Sequence, residues 1–334
     1  MAVSSILVAG AGSWGTALAL VLARNRHQVY LWGRDPEQIQ ILEIQHSNEK
    51  YLPGIRLPEN IIPVADLKET LARTRTIIVA VPCSGLPALL GQLDTSGEQN
   101  FRLCLCCKGL AAGPAFLNHD LVLQVLGDST RVAVLSGPSF AAEVAREMPT
   151  ALTLACTDTE TAGYFVELFH NDIFRIYTSE DITGVEVGGA VKNVMAIAAG
   201  ISDGLGFGTN TRSALITRGL AEIIRLGVKL GGQPETFMGL AGLGDLVLTC
   251  TDDQSRNRRL GLALARGQSL QEALAGIGQA VEGVNTTGEV IRVAAEHAVE
   301  MPITRHVQHV LEGELAPEEA VRSLLNRDPK SESG

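Results

Sequence analysis

An amino-terminal α/β sheet domain followed by an all-helical domain is predicted by three features of the 334-residue sequence. Short β-branched runs alternate with helical patterns through the first half, the signature of a parallel sheet covered by helices on both faces. Past Asp181 helix-length apolar periodicity takes over and strand-like runs nearly vanish. Between the first two strand-like runs lies a glycine-rich turn that opens a helix of Ala and Leu. The length suits two domains, and the change of character divides the chain into residues 1–185 and 186–334.

The strands expected in order are Ser5–Ala9, Gln28–Trp32, Thr76–Val81, Phe101–Cys106, Val132–Leu135 and Ala151–Ala155. Helices of the second half run through Gly184–Ile201, Arg212–Leu230, Thr236–Leu240, Asn257–Arg266, Ser269–Ala275, Thr286–Ala298, Ile303–Glu312 and Pro317–Leu325. The polar tail from Asp328 to Gly334 is expected to fray. Ile77 to Leu93 comes nearest to a membrane span, but Pro82, Gly85, Pro87 and Gly91 interrupt it, so it reads as strand, turn and helix. The first ten residues lack the basic region of a secretory signal.

Composition narrows the function classes. Hydrophobic residues make up 46% and charged ones 19%, a globular balance. A net charge of −10 argues against a nucleic-acid partner, which needs a broad positive field, yet leaves room for a small anion held by local basic residues. Among six cysteines, Cys104, Cys106 and Cys107 fall in one apolar strand without CxxC pairs or spaced histidines, so they read as thiols of a reducing cytoplasm rather than metal ligands. No metal is expected.

Gly10-Ala11-Gly12-Ser13-Trp14-Gly15 follows strand Ser5–Ala9 and opens a helix, with the next strand near Gln28. In that context a GxGxxG run marks a Rossmann-like dinucleotide-binding unit. The first glycine permits the tight turn, the second lets a pyrophosphate approach the backbone, and the third packs helix on strand. The second strand ends at Trp32-Gly33-Arg34-Asp35, where both signs of charge are present. Arg34 stands nearest the strand end and predicts that NADPH is accepted. Asp35 instead suits the cap of a helix whose first residue is Pro36.

Four further segments place polar groups among small residues: Leu135 to Ala141, Gly188-Gly189-Ala190-Val191-Lys192-Asn193, Gly239 to Leu246 and Ser255-Arg256-Asn257-Arg258-Arg259. Lys192, in a segment otherwise almost uncharged, is the first candidate for proton transfer, because burial and positive neighbours bring a lysine toward neutrality. Lys108 ends a strand at the carboxyl edge where open α/β sheets place ligands. Arg256 offers an anion a bidentate fork beside a helix start. Asp245, in an apolar segment, needs a partner if buried: Lys192 or a substrate hydroxyl.

Together with the glycine turn these segments, reading GxGxWGTA, SGPSFAxE, GGAxKN, GLAGLGDL and SRN in this order from about residue 5 to 327, resemble the bacterial type of NAD(P)-dependent glycerol-3-phosphate dehydrogenase. The resemblance implies a helical domain like the carboxyl-terminal one of 6-phosphogluconate dehydrogenase. It also implies reversible reduction of dihydroxyacetone phosphate to sn-glycerol 3-phosphate for glycerophospholipid synthesis. It makes Lys192 the catalytic residue. Substrate would meet Lys108, Gly137, Ser139, Lys192, Asp245, Ser255, Arg256 and Asn257. The cofactor, NADP(H) or NAD(H), would meet Gly10, Gly12, Ser13, Trp14, Gly15, Arg34, Lys108, Ala141, Arg256, Ala280 and Glu282. A cytoplasmic homodimer is the family expectation. Cys107 departs from the serine that more often precedes the lysine at position 108. The rivals are a ketopantoate or hydroxyacid reductase of the same architecture, which would lack the Ser255-Arg256-Asn257 receptor, and a non-catalytic NAD(P)H sensor, which would need neither Lys192 nor Asp245.

Overall fold

The structure is a computed structural model and describes residues 3–111, 113 and 117–326; the tail from Asp328 lies outside the described residues. Among the described residues ten strands are found: β1 Ser5–Ala9, β2 Gln28–Trp32, β3 Ser47–Asn48, β4 Leu52–Arg56, β5 Ile61–Val64, β6 Thr76–Val79, β7 Arg102–Leu105, β8 Arg131–Ser136, β9 Thr150–Ala155 and β10 Phe174–Ser179. Eight form one sheet in the order β10-β9-β8-β7-β6-β1-β2-β5, and β3 and β4 make a separate antiparallel hairpin. The central strands are apolar on both faces, as a doubly covered sheet requires: Ile6 to Ala9, Ile77 to Val79 and Leu103 to Leu105 are all buried.

Two expectations need correction. The sheet is not parallel throughout, since β8 and β9 pair antiparallel and β10 follows β9. The reason is the connection after β8. Its one helix, Ala141–Ala145, has 5 residues and advances only ~7.5 Å, too little to carry the chain back along a six-residue strand of ~20 Å. The chain re-enters at the same end. The sequence reading also passes over the hairpin strands β3 and β4 and over β5 and β10, the last two being the edges of the sheet. β5 contains Pro63, tolerated only at an edge, and β10 alternates buried Phe174 and Ile176 with exposed Arg175 and Tyr177.

The second half is helical as expected, from Ile182–Gly204 through Thr209–Lys229, Pro234–Met238, Asp245–Thr251, Arg256–Ala265, Leu270–Ile277, Glu282–Glu296 and Pro302–Leu311 to Pro317–Leu325. Helix Asp245–Thr251 and the π turn Leu240–Gly244 that leads into it are not foreseen. The long helix Ile182–Gly204 is started by Asp181, whose carboxylate accepts from the Gly184 amide at 2.7 Å. It is the axis of the domain: Val187, Val191, Val194, Met195 and Ile197 are fully buried by the surrounding helices. Its length and hydropathy would suffice for a membrane span, but it is entirely buried here, as a core helix should be.

Candidate active site

A cleft of about 1370 Å³ runs from the carboxyl edge of the sheet to the helical domain. The turn after β1 forms its floor. Gly10 has φ +124°, and a Cβ on Gly15 would lie 1.8 Å from the Gly10 carbonyl oxygen, so helix Ser13–Arg24 seats on β1 only with glycine there. A Cβ on Gly12 would meet nothing within 4 Å, and the helix has no side-chain cap. An open backbone face at an uncapped helix start is a cradle for a phosphate. Ser13, Trp14 and Arg34 line the same stretch, with Arg34 exposed. Asp35 is occupied as a helix cap, accepting from the Glu37 amide at 3.1 Å, which leaves Arg34 as the charge presented at the end of β2.

The opposite wall is built by two glycine-rich segments in backbone contact. A Cβ on Gly188 would lie 2.8 Å from the Ala241 carbonyl oxygen, so helix Ile182–Gly204 meets the π-helical turn Leu240–Gly244 there. One turn beyond Gly188 stands Lys192, and the π turn hands over to helix Asp245–Thr251, whose first residue is Asp245. The Lys192 Nζ donates to Asp245 Oδ1 at 2.6 Å and to Thr249 Oγ1 at 2.8 Å. Lys108 approaches the other oxygen, its Nζ donating to Asp245 Oδ2 at 2.8 Å, to the Gly137 carbonyl at 2.8 Å and to Ser139 Oγ at 3.4 Å. One carboxylate thus joins two ammonium groups from the two domains.

Burial decides the electrostatics. It pushes Lys192 down to about 8; Asp245 opposes the shift, and Lys108 adds to it. Burial alone would raise the Asp245 carboxyl, but Lys108 and Lys192 outweigh it and hold the group below the usual carboxylate range. Arg256, on the far wall, is lowered by burial, with Glu282 opposing.

The remaining candidates fall along this cleft, except two. Ser139, Ala141, Ser255, Arg256, Asn257, Ala280 and Glu282 line it, while Gly15 and Gly137 lie behind its surface. Gly137 contributes its carbonyl to Lys108, and at φ +137° a Cβ there would press on Leu152. Ser255 caps helix Arg256–Ala265 by accepting from the Arg258 amide at 3.2 Å. Asn257 is turned inward, donating to Asn193 Oδ1 and accepting from the Gly283 amide, each at 2.9 Å. Arg258 is committed to Asp203 and Asp253.

Sequence reasoning missed Thr249, Asn193 and Gln279. Thr249 is four residues past Asp245 and becomes legible once that segment is read as a helix. Asn193 donates to the Lys108 carbonyl at 2.9 Å. Gln279 Oε1 lies 3.4 Å from Ser13 Oγ and 3.5 Å from Arg256 Nη1, between the two walls.

A phosphate-cradling turn facing a buried lysine across a two-domain cleft defines a nicotinamide-dinucleotide oxidoreductase. Residues 5–162 match the amino-terminal model of NAD-dependent glycerol-3-phosphate dehydrogenase, and residues 181–322 match the carboxyl-terminal model. The chain belongs to the NAD-dependent glycerol-3-phosphate dehydrogenase family. It is 53% identical over 326 residues to glycerol-3-phosphate dehydrogenase (NAD(P)+) of Nitrosococcus oceani, covering 98% of this chain and 95% of that one. A solved glycerol-3-phosphate dehydrogenase from Coxiella burnetii superposes with a TM-score of 0.94 at 46% identity, over 97% of this chain and 99% of its own. A ketopantoate reductase from Ralstonia eutropha reaches 0.57 at 14% identity, over 95% and 99% respectively, and shares the fold alone.

Proposed function

We propose that the protein reduces dihydroxyacetone phosphate to sn-glycerol 3-phosphate, reversibly and for glycerophospholipid synthesis, with NADPH accepted beside NADH. One observation carries the chemistry. An ammonium has three donors; Lys108 has all three engaged, whereas Lys192 has two on Asp245 and Thr249 and one to spare on the wall of the cleft.

The turn Gly10 to Gly15 and the uncapped start of helix Ser13–Arg24 would hold the pyrophosphate, and Arg34 the adenosine end, with Ala141, Ala280 and Glu282 along the way. The bound reduced nicotinamide supplies the hydride. Arg256 would take the substrate phosphate at the start of helix Arg256–Ala265, an anion restoring what burial costs the guanidinium. Ser255 and Asn257 hold that helix start in place, and Arg256 would also reach the cofactor. Lys192 would protonate the ketone oxygen as hydride arrives, while Lys108, fixed by Gly137 and Ser139, would polarise it. In the reverse direction neutral Lys192 would accept the hydroxyl proton. This chemistry calls for no metal.

The domain division is placed near residue 180 rather than at 185: the sheet ends at Ser179, the family model begins at 181, and a cut at 185 would divide helix Ile182–Gly204. Six free thiols suit a cytoplasmic setting, and the homodimer rests on the family alone.

The pH dependence tests the role of Lys192. As the acid in reduction it must be protonated, so kcat/KM for dihydroxyacetone phosphate is expected to fall as pH rises through about 8. As the base in oxidation it must be neutral, so kcat/KM for glycerol 3-phosphate should rise through the same value. Two limbs of the same sign would contradict the assignment.

A further inference from the structure

The hairpin of β3 and β4 lies between the second and third strands of the β1-β2-β5 unit and is outside the main sheet. Its loop nevertheless reaches the cofactor end of the cleft, which Lys50, Tyr51 and Leu52 line. At its start stands Asn48, buried and without any assigned role. The Asn48 amide nitrogen donates to the Ala11 carbonyl at 3.0 Å and to Thr16 Oγ1 at 2.8 Å. Both of its hydrogens are therefore spent on the glycine turn, one before the helix start and one in the first helical turn. Gln38 donates to the same Ala11 carbonyl at 2.8 Å, and Ser13 Oγ returns a bond to the Tyr51 carbonyl at 2.7 Å.

We infer that Asn48 is a positioning residue that sets the phosphate-binding turn for the dinucleotide before the dinucleotide arrives. The inference rests on the reading of this cleft as the NAD(P)H site. In a trans peptide the carbonyl and the next N–H point in opposite directions. Pinning the Ala11 oxygen toward the hairpin therefore turns the Gly12 N–H away from it, beside the open face where a Cβ would meet nothing. Gly10 and Gly12 flank Ala11, and glycine has the freest backbone of any residue; without Asn48 only the half-buried Gln38 still holds that carbonyl, so the peptide is freer to rotate and more of its ordering falls to the ligand. Preorganisation of this kind appears in affinity. Since Asn48 touches neither the lysines nor Asp245, its effect belongs to cofactor binding and not to the proton.

The test is the dissociation constant for NADPH and for NADH, read by quenching of tryptophan fluorescence and by calorimetry, with melting temperatures in parallel. Asn48→Ala is expected to weaken both cofactors about tenfold, because the turn must then be ordered on binding and not beforehand. At saturating cofactor, kcat should stay within roughly twofold and KM for dihydroxyacetone phosphate should not move. Asn48→Asp keeps the size but faces the Ala11 carbonyl with an acceptor, so it should weaken binding at least as much. Asn60→Ala is the control. Asn60 ties the other end of the same helix through the Ala23 and His27 carbonyls at 2.8 Å, so its loss should lower the melting temperature and leave the dissociation constants alone. Asn48 variants that melt earlier yet bind both cofactors as wild type does would overturn the inference. Wild-type protein that binds neither cofactor would instead overturn the reading of the cleft on which it rests.

Discussion

Replacing Lys192 with methionine is expected to lower turnover by a factor on the order of 10²–10⁴, the contribution of a positioned acid or base, while NADPH binds as before. Methionine keeps the unbranched shape and removes the donor. The fold should tolerate the change, because Asp245 retains Lys108 at 2.8 Å and is not left as an unpaired buried charge. The loss should fall on kcat more than on KM, since the donor acts on the ketone oxygen as negative charge develops there. Lys192→Arg sharpens the reading. It restores the positive charge but cannot give up its proton, so a general-acid role leaves it slow. Near-wild-type turnover in Lys192→Met, measured by NADPH oxidation, would remove the catalytic assignment.

The second large effect is expected from Asp245→Asn, which keeps the volume and removes the charge. Two ammonium groups would then share a buried site without their carboxylate, a loss of about 3–5 kcal/mol when a buried pair is broken by removing one partner. Lys192 should respond in a defined direction. Burial and Lys108 lower it, while Asp245 and, as the smallest influence, Cys250 raise it, so removing Asp245 takes away the main raising influence and lets the lowering ones prevail. The pH at which reduction declines should move below about 8. A raised or unmoved limb, or an unchanged melting temperature, would show that Asp245 does not organise the lysines.

Much of this site is legible in the chain because its constraints are local. The glycine turn announces itself by spacing and by its place after a first strand, and Gly15 and Gly10 meet as that pattern requires. Asp35 shows as a helix cap from Pro36 alone. Lys192, Lys108 and Asp245 can each be selected from their apolar or strand-end settings. Their union is not visible in sequence, since they lie 53 and 137 residues apart in the bridged pairs. Helix Asp245–Thr251 escapes the sequence reading because a π turn and three glycines from Gly239 to Gly244, two of them the π turn's own Gly242 and Gly244, obscure its start. The edge strands β5 and β10 were missed for the opposite reason: with one side unpaired, they carry a proline or an alternating pattern rather than a continuous apolar run.

The reversed direction of β9 and the inward bonds of Asn257 are tertiary facts. Asn257 sits beside Arg256 on the cleft wall, and it spends one amide hydrogen on Asn193 and accepts from the Gly283 backbone. Those bonds fix the helix start against its neighbours, and the second amide hydrogen remains for the cleft.

The most direct test of the account is the loss of reduced-nicotinamide absorbance with purified protein, NADPH and NADH run in parallel, and three ketones: dihydroxyacetone phosphate, dihydroxyacetone and ketopantoate. Rapid oxidation with the phosphorylated ketone alone, with NADPH accepted as Arg34 predicts, is the expected result. Turnover of ketopantoate in its place, or of dihydroxyacetone as readily as its phosphate, would contradict it.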